Sequence, residues 1–349
     1  MAMAETLAQQ AASEHASGPV PAVSVIVVNW NGRAYLEACL QTLRAQMFRD
    51  FEVIVVDNGS TDGSVELVKE RFPEAALIPL PDNRGPCVAN NAGIAQARGR
   101  YVAFLNNDVE ADPGWLQALV DALEQNPKVG FCASKVVLAR RPDLLDTAGD
   151  YLSFSGMPGK RGHLDRADKP EYNRPQEIFA ACAAAALYRR EVLQDVGGFD
   201  EDLLVNFEDV DLSFRAQLRG HRGLYVPGAL ALHHLHGTLN PRDRKYVYLV
   251  HRNLECVYVK NMPLALLVRT FPLHVLEALV SFMLALGRGQ GWAYLQGKGA
   301  ALVLLPTWLR KRREVQRART ESVAALAGRL SRGWWRLKWE RWKRNRALR

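Results

Sequence analysis

VSVIVVNWNGRAYLEACLQTLR, residues 23–44, carries two periodicities, and the fold follows from reading them in order. The first seven residues are apolar at nearly every position and rich in β-branched side chains, as a strand must be when both of its faces are covered. Further on, Leu36, Leu40 and Leu43 recur at helical spacing. The same alternation returns in FEVIVVD (51–57) before SVELVKERF, in ALIPL (76–80) before VANNAGIAQA, and in YVAFLNND (101–108) before WLQALVDALEQ. Repeated strand-then-helix units predict an α/β domain, a Rossmann-like and mostly parallel sheet with helices on both faces. Ligands of such sheets sit beyond the carboxyl ends of the strands, and those ends carry Asn29, Asp57 and Asp108.

The 349 residues suffice for one large domain with an appendage, or for two modest ones. Five widely spaced cysteines with no CxxC pair suggest neither a disulfide framework nor a zinc knuckle, which points to a reducing compartment. Residues 1–20 lack a basic n-region and an apolar h-region, so they are expected to form a disordered tail and not a signal peptide. Charge is uneven. Between Arg310 and Arg349, fifteen Lys and Arg stand against three Glu, a balance of +12 within an overall +8, leaving −4 for the rest. The body is mildly acidic, so the basic balance is no argument for a nucleic-acid-binding globule, and no nucleic-acid partner is expected.

DNGSTDGS (57–64) is Gly-rich, yet it matches neither the dinucleotide GxGxxG nor the GxxxxGK[ST] phosphate loop. NFEDVDLSFR (206–215) crowds Glu208, Asp209 and Asp211 together at a cost in repulsion, which suggests a site that needs carboxylates with raised proton affinity. Asp211 and Arg215 are spaced for an i,i+4 ion pair.

VSVIVVNWNG, VIVVDNGSTDGS, NRGPCVANNAG through GRYVAFLNNDV, GGFDEDL, NFEDVDLSFR and VPGALALHH occur in an order and spacing that resemble the family 2 inverting glycosyltransferases of the GT-A fold, more narrowly their rhamnosyltransferase-like branch. The resemblance covers about residues 21–240, the expected catalytic domain. It implies transfer of a sugar from a nucleoside-diphosphate sugar, with dTDP-rhamnose as the best-fitting donor. It also implies a divalent metal, Mn2+ or Mg2+, that neutralises the leaving diphosphate. By the same resemblance Asp108 and His233 hold the metal, with His234 and His236 as neighbours of the same type. Asn29, Asp57, Asn83, Asn91, Asn107 and Asp108 line the nucleotide-sugar site, Asn29 on the wall opposite Asp57. Asp209 is the general base, Glu208 orients the acceptor, and Asp200 lies in a loop near the acceptor. Two departures stand out: Asn106-Asn107-Asp108 replaces the commoner Asp-x-Asp, and Asn90 stands where many relatives have Arg.

PLHVLEALVSFMLALG (272–287) reads as an apolar helix with Pro272 at its first position, too short at about 24 Å to cross a bilayer. It falls in a region, 241–310, expected to be helical and membrane-associating. In the basic tail, 311–349, Trp335, Trp339 and Trp342 align at helical spacing among cations, a pattern suited to anionic headgroups. The expectation is a transferase peripheral on the inner face of the cytoplasmic membrane, acting on a lipid-linked glycan in surface-polysaccharide synthesis. A polyprenyl-phosphate glycosyltransferase or another hexosyltransferase is the alternative, and a processive synthase is disfavoured because QxxRW is missing. A non-catalytic binding module would leave Asp57, Asp108, Asp209 and His233 as coincidences.

Overall fold

A computed structural model describes residues 19–235 and 243–333. Most of the expected N-terminal tail, His236 and the three tail tryptophans lie outside the described residues. The chain opens with β1 (Val23–Asn29), α1 (Arg33–Arg44), β2 (Phe51–Asp57), α2 (Ser64–Arg71), β3 (Ala76–Pro79), α3 (Pro86–Gln96) and β4 (Tyr101–Asn106). These are the predicted units, with ends within a few residues of the sequence reading. After them come β5 (Val109–Ala111), α4 (Trp115–Gln125), β6 (Val129–Leu138), β7 (Arg141–Thr147), β8 (Asp150–Leu152) and β9 (Pro158–Lys160). Then follow β10 (Gln176–Ile178), β11 (Ala185–Arg189), α5 (Arg190–Val196), α6 (Glu208–Leu218) and β12 (Arg222–His233). The last helices are α7 (Arg244–Asn261), α8 (Leu264–Leu286), α9 (Gly291–Val303), α10 (Leu305–Ala318) and α11 (Val323–Arg329).

The main sheet runs β10-β12-β6-β11-β4-β1-β2-β3, with β5 and β7 at its flank. β4, β1, β2 and β3 are parallel, as predicted; β11 enters antiparallel between β4 and β6, and β12 is parallel to β6. Alternation along β1 explains its uniform apolarity. Val23, Val25 and Val27 pack with α1 and α4, including Leu36, Leu40 and Trp115, whereas Ile26 faces a second core that contains Phe104, Tyr188 and Phe214. Both faces of the sheet are therefore buried, and its exposed rim is left for ligands.

One expectation is corrected. The apolar helix begins at Leu264, so Pro272 lies inside α8 and not at its start. Its 23 residues reach about 34 Å, long and apolar enough to cross a membrane by length and composition. His274 and Glu277, read as interruptions, face inward: His274 donates through Nδ1 to the Ser155 carbonyl and its Nε2 lies 3.0 Å from Glu255, and Ser155 donates to Glu277. The opposite side of α8 is exposed, with Leu264, Val268, Leu279 and Met283 each more than half accessible.

Candidate active site at the carboxyl rim of the sheet

Register brings the strand ends together. Asn29 and Asp57 are direct partners across β1 and β2. The Asn29 amide donates to Asp57 Oδ1 (3.0 Å) and Ser60 Oγ (3.1 Å), and its oxygen accepts from Asn107 Nδ2 (2.7 Å). Asn29 is thus not on the wall opposite Asp57; it is wholly buried and stitches the ends of three strands. Gly32 makes the close approach possible, because a Cβ there would lie 1.9 Å from Asn107 Nδ2. Asp57 also caps the following turn through Ser60 N (2.9 Å). Asn83 accepts from Asn58 Nδ2 and Gly85 N, closing the 80–85 loop over that turn.

Asn91 does something different. Its amide donates to the Phe199 carbonyl and Glu201, and its oxygen accepts from Phe199 N (2.8 Å), so α3 holds the GGFDED loop through it. Asp200 of that loop is not free for an acceptor either. It pairs with Lys260 (2.6 Å) and with Lys311, and although burial pushes its carboxyl up, the two ammonium groups hold it down at about 2.

Asp108 follows β4, and β12 delivers His233 opposite Val109. His233 Nε2 lies 3.3 Å from Asp108 Oδ1, and Nδ1 lies 2.9 Å from Asp146 Oδ2. Burial disfavours the imidazolium, but the two carboxylates outweigh it and raise His233 to about 9. His234 points elsewhere, to Glu110 at 2.7 Å. A histidine steered by a buried carboxylate at one nitrogen and facing a second carboxylate with the other is the donor set that suits a divalent cation, which would take the proton's place. The residues therefore fit the metal that the fold family implies.

The chain of charge continues beyond Asp146. Lys160 donates to both Asp146 oxygens at 2.8 Å, and its charge also acts on Asp150 and Asp209. Asp150, Cys182 and Asp209 place one ligand-type atom each within 4.8 Å of one another. Burial, then the charge of Asp209, raises Asp150 to about 7. Asp209 is itself raised, chiefly by burial, although Val210 N (2.8 Å) and Ala183 N (3.3 Å) donate to it. Burial and Asp209 lift Glu208 to about 8, and its Oε2 is buried with no hydrogen-bond partner among the described residues.

Crowding in NFEDVDLSFR is thereby resolved asymmetrically. Asp211 forms the predicted pair with Arg215 (2.8 Å) and also takes Lys260 (2.6 Å) and Asn261 (2.7 Å). Arg215 is fully engaged there and at the Val196 and Gly198 carbonyls. Glu208 and Asp209 are left as the high-affinity proton acceptors. Asp146, Asp150 and Lys160 were absent from the sequence reading; the paired acids in DTAGD (146–150) are the only signal they leave.

The sheet has the GT-A fold, and the chain belongs to glycosyl transferase family 2, whose model matches residues 24–197. It is 31% identical over 237 residues to the N-acetylglucosaminyl-diphospho-decaprenol L-rhamnosyltransferase of Mycobacterium tuberculosis, covering 60% of this chain and 75% of that one. It is 30% identical over 260 residues to the O-antigen biosynthesis protein RfbC of Myxococcus xanthus, covering 67% of this chain but only 20% of RfbC. Among solved structures, a mannosyltransferase from Pyrobaculum calidifontis in complex with GDP-Man and Mn2+ superposes with a TM-score of 0.51 at 21% identity, covering 90% of this chain and 93% of that one. The chain is a family 2 glycosyltransferase.

Proposed function

We propose that this glycosyltransferase moves rhamnose from dTDP-rhamnose, with inversion, to a lipid-linked glycan at the inner face of the cytoplasmic membrane, the donor diphosphate being neutralised by Mn2+ or Mg2+. The observation that carries the reading is the unbroken line of charge from Asp108 and His233 through Asp146 and Lys160 to Asp150 and Asp209. It joins a cation-type donor set to a carboxylate of raised proton affinity, the two ends that an in-line displacement requires. The similarity to a relative named for L-rhamnosyl transfer to N-acetylglucosaminyl-diphospho-decaprenol supports the choice of sugar and acceptor. Residues 21–240 form the catalytic domain in this reading, with 241–310 and 311–349 directed to the membrane.

Asp108 and His233 would hold the cation, whose chemistry is to offset charge on the departing diphosphate. Asn29 and Asn107 fix the rim, and Asp57, Asn58 and Asn83 line the nucleotide's side of it. Asp209 takes the acceptor's proton as the new bond forms. Glu208 Oε2 and Asn206 Nδ2, both buried without partners among the described residues, are suited to satisfy hydroxyls of the acceptor sugar. A thermal-shift panel of UDP, dTDP and GDP with and without Mn2+, followed by product analysis on an N-acetylglucosaminyl-diphospho-lipid, tests the proposal. A nucleotide at a hundred times its Kd should add about 2.7 kcal/mol. The expected result is the largest shift with dTDP plus Mn2+ and a rhamnosylated product; a preference for GDP or UDP would overturn the choice of donor.

A further inference from the structure

A groove of about 460 Å³ lies among α7, α8, α9 and α10, and none of the rim residues lines it. This falls within the size range of small-molecule sites, roughly 300–1,000 Å³. Its walls are apolar, from Phe271, Leu279, Phe282, Leu295 and Leu302 among others. The charged groups in it answer one another. Glu255 takes His274 (3.0 Å) and Lys298, and although burial favours its protonation, these two partners hold it at about 2. Among the described residues, what the groove offers a ligand is therefore carbon surface, plus one exception: Trp308, 1% exposed, has its indole N–H buried with no acceptor among those residues. A buried donor without a partner is costly, and a ligand oxygen would relieve it.

Two further features say what kind of ligand this is. The groove opens along the exposed apolar side of α8, so an apolar chain can enter from a lipid phase. Beyond Trp308 on α10 come exposed Arg310 and Arg313, which complement an anionic head, whereas Lys311, 5.1 Å above the indole ring, is committed to Asp200 and Asp202. The groove is also mechanically joined to the candidate base. Asp150, beside Asp209, starts the β8–β9 hairpin, and five residues on, Ser155 grips Glu277 and His274 of α8. That reach is at most about 18 Å.

We propose that this groove binds the hydrocarbon chain of the acceptor's phosphate-bearing lipid carrier, with the Trp308 N–H and the α10 cations toward its phosphate. The inference rests on the lipid-linked acceptor proposed above and adds where the chain lies. The chain anchors the acceptor while its sugar reaches Asp209.

The test uses the full chain and two readouts. In equilibrium dialysis, radiolabelled farnesyl phosphate should bind and methyl phosphate should not, while Ala278→Phe, which fills the groove, should weaken binding at least tenfold and Trp308→Phe severalfold. In transfer assays with acceptors that share one sugar-diphosphate head, KM should be at least tenfold lower for a farnesyl than for a methyl derivative. Ala278→Phe should erase that ratio without changing kcat on the methyl acceptor. Unchanged farnesyl phosphate binding in Ala278→Phe overturns the proposal. So does binding that appears only after removal of residues 334–349, which would make the tail the occupant, or loss of a dimer in Ala278→Phe, which would make it a second copy. Groove binding without transfer to either acceptor would sink the acceptor reading and leave the groove; equal KM for both acceptors would do the reverse.

Discussion

Asp146 is wholly buried and holds His233 Nδ1 at 2.9 Å while Lys160 holds both of its own oxygens. The imidazole is fixed with Nε2 toward Asp108, so its orientation is decided before any ligand arrives. Outer partners of this kind are worth about 10–100-fold in metal affinity. Asp146→Asn should therefore weaken Mn2+ binding by about that factor while metal-free nucleotide affinity stays near wild type. Titration of Mn2+ by calorimetry checks this, with Asp108→Ala as the variant in which metal dependence disappears. Unaltered Mn2+ affinity in Asp146→Asn would show that His233 is not a ligand.

Asp209→Asn keeps shape and hydrogen bonding but cannot take a proton. Transfer should fall by about 10²–10⁴ with donor affinity preserved. The neighbour provides the pH test. Asp209, Asp150 and Glu208 all have raised pKa values, with Lys160 and the Val210 and Ala183 amides opposing the rise at Asp209. A base must be ionised, so kcat/KM should be lost on acidification, at a pH above that of an ordinary aspartate. Lys160→Met removes a cation that opposes the rise and so increases the proton affinity of Asp209, moving the acid limb to higher pH. A pH–rate profile that does not move, or moves downward, would disconnect Lys160 from the base.

How much of this was visible beforehand follows from the physics of each element. The parallel strands were legible because Val23–Val28, apart from Ser24, and Val102–Leu105 are apolar on both faces, as a doubly covered sheet demands. The i,i+4 pair of Asp211 and Arg215 was local and so readable, whereas its burial by Lys260 came from 49 residues away along the chain and was not. Asp146 meets His233 across 87 positions, and DTAGDYLSFSGMPGK carries no periodicity that would single it out. The start of α8 was misread because Pro is favoured at a first turn, and packing of His274 and Glu277 overrides that local preference.

Lys260 is 2% exposed at its side chain and serves both Asp200 and Asp211 at 2.6 Å. Lys260→Met removes the shared cation and leaves two buried carboxylates short of a partner, so unfolding free energy should fall by about 3–5 kcal/mol in a denaturant titration. The sign with pH follows from Asp200, whose folded value of about 2 lies below its ordinary one. Its contribution is present above the unfolded carboxylate range and lost as pH falls through about 2. Wild type should thus lose stability on acidification from pH 5 more steeply than Lys260→Met, and parallel curves would refute the shared-cation account.

Asn253 addresses how Glu208 and Asp209 are kept in place. Leu204, Asn206 and Phe207 all have positive φ (64°, 73° and 68°) immediately before α6, a conformation that costs non-glycine residues about 1–3 kcal/mol each. The Asn253 amide of α7 donates to the Leu203, Val205 and Asn206 carbonyls at 2.7–2.9 Å, and Arg252 donates to those of Asp202 and Leu203. The strained loop is held from outside, by a helix beyond the matched family segment. Asn253→Ala should let it relax, lowering kcat by about 10–100-fold with little change in donor KM. Asn253→Asp discriminates clamping from packing: it keeps the volume but turns a donor into an acceptor against three carbonyls, so it should be at least as impaired as Ala. If Asn253→Asp turns over like wild type, the amide is not what holds the base.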